Sequence, residues 1–200
     1  MAVFTEVSES TAQDLLTQLK LGELVELKGI QGGIENTNYF LTSSDGTYVL
    51  TLFEPLSFEQ LPFYLQLMKH LAQRGIVVPA PHENANGELV LNVKGKPASV
   101  VDKLRGASEL KPGPVHCAQM GAMLAKMHLA GRDFAMNQPN LRGLQWWNDT
   151  VPEVLPYLKD EQKALITREL AYQNQLADAL MRGINAYFSR NPPLARNRSI

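Results

Sequence analysis

The sequence lacks the features that define several large classes of protein. Cys117 is the single cysteine among 200 residues, which excludes an intrachain disulfide and a cysteine-based metal cluster. No apolar run approaches the roughly 20 residues that a membrane-spanning helix needs. The opening residues, MAVFTEVSES, show no basic segment followed by an apolar one. We therefore expect no signal peptide, no membrane partner and a cytoplasmic location.

An excess of charge of either sign is also missing. The chain has 19 basic and 20 acidic residues, and the formal net charge is −1. No global charge therefore attracts the chain to nucleic acid, and we expect no nucleic-acid partner. A hydrophobic content of 44% and a charged content of 20% fit a globular protein with one or two domains.

The pattern from residue 24 to residue 54 predicts three short strands at 25–30, 36–42 and 48–53. Asp45-Gly46 between the last two is a strong hairpin signal, because the favoured turn needs positive φ at both central positions. The loop at 31–35 contains two adjacent glycines and is longer than a plain hairpin needs. Such a loop can approach a ligand closely and direct its N–H groups at an anion, as in kinase-type enzymes. A loose connection in a small sheet explains the loop equally well.

The remainder of the first hundred residues supplies the other parts of an α+β unit. Ser10 or Thr11 can cap a short helix that ends near residue 20. A second helix is predicted from 57 to 75, with Pro62 in its first turn, and two more strands are predicted at 88–93 and 98–104. The order β-β-β-α-β-β predicts a five-stranded antiparallel sheet with one helix packed across it. That order matches the small lobe of the protein-kinase-like architecture, where a hinge follows the last strand. An edge strand followed by a loop is the simpler interpretation of residues 98–106.

After residue 112 the pattern becomes helical, with helices predicted at 114–131 and 160–180 around an irregular segment at 131–147. The methionines of the first helix share one face and are predicted to lie in a core. Cys117 is expected to be a buried or incidental thiol, and His128 a capping or core residue more readily than a catalytic one. Residues 182–200 contain four arginines, two adjacent prolines and no acid, which predicts a basic tail that is not folded.

Six segments, taken in order, resemble bacterial homoserine kinases of the aminoglycoside-phosphotransferase-like type. They are GGIENTNYFL, YVLTLFE, LPFYLQLMKHLAQRGIVVPAP, KPASVVDKLRG, MGAMLAKMH and NLRGLQWW. The resemblance extends from residue 3 to about residue 183. It implies a protein-kinase-like fold of two lobes, with a nucleotide-binding lobe at 1–104, a partial helical lobe at 105–182 and a non-family basic tail at 183–200. It further implies transfer of the γ-phosphoryl group of ATP, used as its Mg²⁺ complex, to the hydroxyl of L-homoserine in threonine biosynthesis.

The resemblance also implies which residues bind the nucleotide. The phosphate-covering loop and the start of its second strand contribute Gly32, Gly33, Asn36 and Asn38. The third strand contributes Thr51, and the hinge contributes Val101, Asp102, Lys103 and Leu104. Thr51 stands where kinases normally carry a phosphate-contacting lysine, so the usual lysine–glutamate ion pair is not available from this strand. Glu59 would be the glutamate by position.

The largest departure from the family concerns the catalytic loop, which has the form His-x-Asp-Leu and is followed by an Asn and a second Asp. These groups orient the acceptor hydroxyl and hold Mg²⁺. No His-x-Asp occurs after residue 160, and the last aspartate is Asp178. We therefore predict no catalytic or metal-binding residues and poor activity for this 200-residue chain.

Two origins for that departure stay open, a shifted reading frame near Gly183 and a truncated paralogue without catalysis. Three functions stay open as well. The first is homoserine kinase, and the second is a phosphotransferase for another small acceptor such as an aminoglycoside or choline. The third is a nucleotide-binding pseudokinase. The oligomeric state and the residues that contact the acceptor are not predicted.

Overall fold

The computed structural model describes residues 5–32 and 34–190, and its centre is a five-stranded antiparallel sheet. The strands, in chain order, are β1 Leu24–Gly29, β2 Asn36–Ser43, β3 Thr47–Phe53, β4 Leu91–Val93 and β5 Lys96–Asp102. Their order across the sheet is β1-β2-β3-β5-β4, and all neighbouring strands run antiparallel. The predicted α+β class and the predicted β-β-β-α-β-β order are both confirmed.

The sheet has two chemically different faces because successive side chains point to opposite sides of a strand. We call core face the side that carries Tyr39, Leu41, Leu50, Leu52 and Val100, all of them buried. Helix α1, Glu9–Leu19, packs its apolar residues against this face in one cluster. On the opposite side, the residues of β2 and β3 are half-buried, whereas Ser99 and Val101 of β5 are buried. We call this side the open face. The hydrophobic core of the first unit therefore lies between the sheet and α1.

Helix α1 begins earlier than the sequence indicated. Its N-cap is Ser8, whose hydroxyl accepts a hydrogen bond from the N–H of Thr11 at 3.2 Å. Ser10 and Thr11, the predicted caps, lie inside the helix. All three residues can cap a helix. Ser8 is the N-cap because its extended backbone places its hydroxyl next to the N–H of Thr11.

The helix and the strand between β3 and β5 are shorter than predicted. Helix α2, Leu61–Gln73, starts four residues later than expected, and Pro62 occupies its first turn as predicted. The predicted strand at 88–93 shortens to Leu91–Val93, because residue 88 belongs to a turn that Asn84 forms with the residues after it. The Asn84 side-chain oxygen accepts from the N–H groups of Asn86 and Glu88, at 2.9 and 3.0 Å.

The described residues form two compact units, one ending at Asn137 and the other beginning at Gln138. The domain boundaries predicted at 104 and 182 stay predictions. Helix α3, Pro114–Ala130, belongs to the first unit and has the predicted bounds within one residue. It has no buried residue, so the prediction that its methionines form a core is wrong. Met120 is 69% exposed and Cys117 is exposed as well.

The second unit contains two helices, α4 at Leu144–Val154 and α5 at Asp160–Arg190, with a 3-10 turn between them. The prediction of an irregular segment up to residue 147 is wrong for its last residues, since α4 starts after Gly143. The predicted end of the last helix near residue 180 is also wrong. No proline occurs before Pro192, and Gly183 costs a helix only about 1 kcal/mol relative to alanine. The predicted unfolded tail is therefore helical up to Arg190, and its last ten residues lie outside the described part.

Among residues 5–32 and 34–190, no helix has both the length and the apolar composition to span a membrane.

Candidate functional site

The open face of the sheet brings three of the predicted nucleotide-binding residues together. Asn38 on β2 lies opposite Thr51 on β3, and the Thr51 hydroxyl donates a hydrogen bond to Asn38 Oδ1 at 2.8 Å. Ser99 on β5 follows in the same row. Asn36, at the start of β2, accepts a hydrogen bond from the backbone N–H of Glu54 at 3.4 Å. Thr51, which has no charge, is thus engaged with its neighbour, and this row is polar and uncharged.

The next row of the open face is apolar. Phe40, Val49 and Val101 lie side by side on β2, β3 and β5. Lys103 extends over this row, with its Nζ 4.5 Å from the centre of the Phe40 ring. A cation over an aromatic ring is attracted by the negative charge on the face of the π system. The open face therefore offers a flat apolar strip beside a polar row, which is what a planar aromatic ligand with polar substituents needs.

The predicted hinge, residues 101–104, has little free backbone. Val101 is paired with Val49 in the β3–β5 ladder. The N–H of Asp102 donates to the carbonyl of Ala80 at 3.0 Å, and that of Lys103 donates to the carbonyl of Thr47 at 3.3 Å. Among the described residues, none hydrogen-bonds the N–H of Leu104. Leu104 is 42% exposed and is the hinge residue whose backbone N–H can still bind a ligand.

An ionisable group supports the hinge from the segment that precedes β4. His82 Nε2 lies 2.7 Å from Asp102 Oδ1, and the His82 ring meets Tyr48 edge-on with centroids 5.1 Å apart. Burial raises the pKa of the Tyr48 hydroxyl, and the nearby carboxylates of Asp45 and Asp102 raise it further. The Asp102 carboxylate is therefore engaged by His82 within the protein.

The glycine-bearing loop connects β1 to β2 at the edge of this face. Gly32 is exposed, and a Cβ added there would meet no atom within 4 Å. No steric contact in the described part of the protein therefore requires glycine at position 32. The space that a side chain would fill is open to a ligand. Gly33, the second predicted loop residue, lies outside the described residues. Glu59, the predicted ion-pair partner of a strand lysine, is exposed and precedes α2.

Sequence reasoning missed a charged cluster on the core face directly behind the loop. Glu54, one residue past β3, forms an ion pair with Lys96, at the start of β5. Thr37 and Thr5 donate hydrogen bonds to Glu54 Oε1 at 2.7 and 2.9 Å. Burial by itself raises the pKa of the Glu54 carboxyl, but the hydrogen bonds from Lys96, Thr37 and Thr5 together hold it below its usual value. The two-residue alternation of β3 places Glu54 on the side of Leu52, which is the signal that could have located it.

The described residues contain no group of three or more His, Cys, Asp or Glu side chains that could hold a metal ion. In the second unit, α4 and α5 form a groove of about 300 Å³ lined mainly by Arg142, Leu144, Trp147, Leu176 and Leu180. Asn148 and Asn174 join the two helices through reciprocal side-chain hydrogen bonds of 3.2 and 2.9 Å. This groove contains no carboxylate among its lining residues, so it offers no general base.

Comparison with known proteins places these features in a family. A model of the phosphotransferase enzyme family (APH) matches residues 26–200. The chain is 64% identical over 177 residues to a homoserine kinase of Polaromonas naphthalenivorans (strain CJ2), a match covering 88% of this chain and 56% of that protein. It is 54% identical over 179 residues to a homoserine kinase of Janthinobacterium sp. (strain Marseille), covering 90% of this chain and again 56% of the relative. The chain thus spans about half the length of the curated relatives it matches.

Two solved structures share the fold. One is an amicoumacin kinase in complex with AMP-PNP, Ca²⁺ and Ami, with a TM-score of 0.56 at 19% identity. The match covers 84% of this chain and 53% of that kinase. The other is a spectinomycin phosphotransferase in complex with ADP and spectinomycin, with a TM-score of 0.51 at 16% identity. This match covers 90% of our chain and 58% of that phosphotransferase. The fold resemblance and the match of the family model over most of the sequence agree. The chain belongs to the phosphotransferase enzyme family.

Proposed function

We propose that this protein is a homoserine kinase, which transfers the γ-phosphoryl group of ATP to the hydroxyl of L-homoserine and yields O-phospho-L-homoserine for threonine biosynthesis. The observation that carries the proposal is the 64% identity to a homoserine kinase over 88% of the chain. We place the reaction in the cytoplasm, with L-homoserine as the small-molecule partner.

The geometry of the open face supports nucleotide binding by the first unit. The strip of Phe40, Val49 and Val101 would contact the adenine ring, and the N–H of Leu104 would donate to it. The loop that contains Gly32 would lie over the phosphates, since backbone N–H groups in such loops bind anions. Asn38 and Thr51 would face the sugar or the α-phosphate with polar, uncharged groups. No charged strand residue replaces the lysine of other kinases at this row.

A divalent cation, which we take to be Mg²⁺, would accompany ATP, because the negative charge of the phosphates must be neutralised during transfer. The described residues do not fit this ion, because they contain no cluster of carboxylates or histidines. The sequence beyond Asp178 has no aspartate or glutamate either. We therefore derive no catalytic step through the metal, and we assign to these 200 residues nucleotide binding without efficient transfer.

Two measurements on the purified 200-residue chain test the proposal. Calorimetric titration with a non-hydrolysable ATP analogue should show one binding site per chain. A coupled assay of ADP release with L-homoserine should show little turnover, because the group that would accept the hydroxyl proton is missing from this sequence. Normal turnover would contradict the assignment of binding without transfer, and absence of nucleotide binding would contradict the proposal itself.

The alternatives differ in the acceptor and in the outcome of the same assays. Transfer to an aminoglycoside or to choline, but not to L-homoserine, would favour a phosphotransferase of different specificity. Nucleotide binding without transfer by a longer homologous chain that carries the complete catalytic loop would favour a pseudokinase. The high identity to homoserine kinases over most of the chain favours L-homoserine over both alternatives.

A further inference from the structure

The carboxylate of Glu54 connects segments that are far apart in the sequence. Lys96 forms an ion pair with its Oε2, while Thr37 and Thr5 donate to its Oε1 at 2.7 and 2.9 Å. The Lys96 ammonium also donates to the Thr5 hydroxyl at 2.8 Å. The Glu54 side chain is only 15% exposed. Charge-assisted hydrogen bonds in a partly buried site are stronger and more directional than those between neutral groups, so this cluster has a defined geometry.

Two of these contacts reach the point where the glycine-bearing loop enters β2. Thr37, the second residue of the strand, is completely buried, and its hydroxyl donates to the Glu54 carboxylate. The backbone N–H of Glu54 donates to the side chain of Asn36, the first residue of the strand. Residues 31, 32, 34 and 35 of the loop are exposed. Glu54 thus holds the first two residues after the loop, while these four residues of the loop are exposed to solvent.

The segment before α1 holds the same point from the other side. The N–H of Thr5 donates to the Thr37 hydroxyl at 3.1 Å. The N–H of Val7 donates to the Tyr39 hydroxyl at 3.0 Å, and that hydroxyl donates to the carbonyl of Thr5 at 3.1 Å. Residues 5–7 therefore cross the core face of β2 next to the loop. Without the hydroxyl of Thr37, both the carboxylate and this crossing segment would lose their contact with the start of β2.

We propose that Glu54, through Thr37, is a positioning residue that fixes the glycine-bearing loop for contact with the phosphates of a nucleotide. The inference rests on the proposed nucleotide binding. Thr51 stands where a lysine is expected, and the ion pair of Glu54 with Lys96 lies beside the loop on the core face. The pair lies on the side of the sheet opposite to Asn38 and Thr51. It acts on the loop because the loop and Thr37 belong to one continuous backbone.

The alternative is that the cluster only stabilises the fold. An ion pair in a low-dielectric site contributes little net stability, because loss of hydration offsets most of its attraction. The two roles differ in which ligand they affect. A loop that loses its anchor weakens the binding of phosphates and leaves the adenine strip unchanged, whereas a general loss of structure affects both.

The test compares ATP with adenosine, which lacks phosphates, by competition against a fluorescent ATP analogue on the 200-residue chain. Thr37→Val removes the donor to Glu54 with almost no change in shape. We expect it to weaken ATP binding about five- to tenfold, the effect of one lost hydrogen bond on an equilibrium, and to leave adenosine binding unchanged. Glu54→Gln keeps an acceptor but loses the charge, and should show a smaller selective loss. Thr42→Val, on the same strand but remote from the loop, is the matched control and should change neither affinity.

Hydrogen exchange of the loop provides a second measurement on the same variants. Thr37→Val and Glu54→Gln should speed exchange at residues 31–36 and leave β5 unchanged. An equal loss of ATP and adenosine affinity, or no loss of either, would overturn the positioning role. Failure of the unsubstituted chain to bind ATP would instead contradict the proposed function, so the two failures are distinguishable.

Discussion

Thr51 changes the charge of the open face at the position where other kinases carry a lysine. A lysine at this position would place a positive charge on the open face, and threonine places only a hydroxyl there, which is already bonded to Asn38. Lys96 lies on the opposite side of the sheet and is paired with Glu54. For the proposed nucleotide binding, we therefore expect the loop backbone to supply more of the attraction for phosphates than it would beside a lysine-bearing strand.

Gly32 is the residue where we expect a substitution to separate folding from binding. Gly32→Ala should change the free energy of unfolding by less than about 0.5 kcal/mol, because a Cβ there meets no atom within 4 Å. The same methyl group should lower ATP affinity about fivefold or more if the backbone approaches the phosphates closely. Urea unfolding and calorimetric titration measure the two effects. Gly121→Ala, in the exposed helix α3, is the control and should leave ATP affinity unchanged.

Unaltered ATP binding by Gly32→Ala would show that the loop does not contact the phosphates at this position.

Glu54 gives the molecule a defined response to acid. Its native pKa lies below the ordinary value of 4.5, so its contribution to stability is complete above that pH and is lost as the pH falls through the native pKa. Stability should therefore decrease on acidification below about pH 4.5, in part through this group. Glu54→Gln cannot titrate here, so the difference in urea midpoint between it and the unsubstituted chain should shrink from pH 7 to pH 3. Glu26→Gln, at an exposed position of β1, is the control. A difference that stays constant over this range would contradict the prediction.

The residues of the open face could be predicted from the sequence, while the cluster behind it could not. Asn38 and Thr51 follow from a recognisable hairpin, because the Asp45-Gly46 turn fixes the register of β2 against β3. Glu54 and Lys96 are 42 residues apart, and their meeting depends on the non-consecutive pairing of β3 with β5. Local periodicity contains no information about which distant strand pairs with which.

At the scale of elements, the contact between α2 and the segment after α3 is built from aromatic and charged side chains. Phe134 meets Phe63 and His70 edge-on, with centroids 5.8 and 5.0 Å apart. Arg74 pairs with Asp133 at 2.6 Å, which lowers the pKa of the Asp133 carboxyl. Because Asp133 is exposed, water screens this ion pair and the aromatic contacts determine the strength of the connection.

Phe134→Ala should therefore lower the free energy of unfolding of the first unit by about 1 to 2 kcal/mol, from two lost aromatic pairs and some lost burial. Urea unfolding followed by circular dichroism measures the change. Phe58→Ala is the matched control, since Phe58 is 38% exposed and should tolerate truncation with a smaller effect. Equal effects of the two substitutions would show that Phe134 does not connect α2 to the segment after α3.

Helix boundaries were predictable where apolar periodicity is clear and wrong where sequence signals conflict. Helix α3 has its predicted bounds within one residue, because Pro114 and Gly131 mark both ends. Helix α4 was missed, since Trp146 and Trp147 follow closely after its start and Pro152 lies within it. Helix α5 extends beyond its predicted end because no proline stops it before Pro192 and a single internal Gly183 costs only about 1 kcal/mol relative to alanine.

At the scale of the whole molecule, burial is distributed unevenly along the chain. Among the described residues, every buried hydrophobic side chain except Val151 precedes Asp102. Most of the large apolar side chains that stay exposed follow Leu104, including Met120, Leu124 and Tyr172. Since burial of apolar surface is the main favourable contribution to folding, the sheet with α1 and α2 holds most of the stability. The helices after residue 113 form their hydrogen bonds locally and gain little from packing.

We expect hydrogen exchange to reveal this difference directly. Amides of β2, β3 and β5 should exchange only through global unfolding, because their ladder lies against the buried core. Amides of α3 should exchange orders of magnitude faster, through local opening, since no residue of that helix is buried. Mass spectrometry of the 200-residue chain at two urea concentrations separates the two, because only global opening accelerates steeply with urea. Exchange of α3 as slow as that of β3, with the same urea dependence, would contradict the prediction. It would mean that α3 is packed in solution, against a surface that the described residues do not provide.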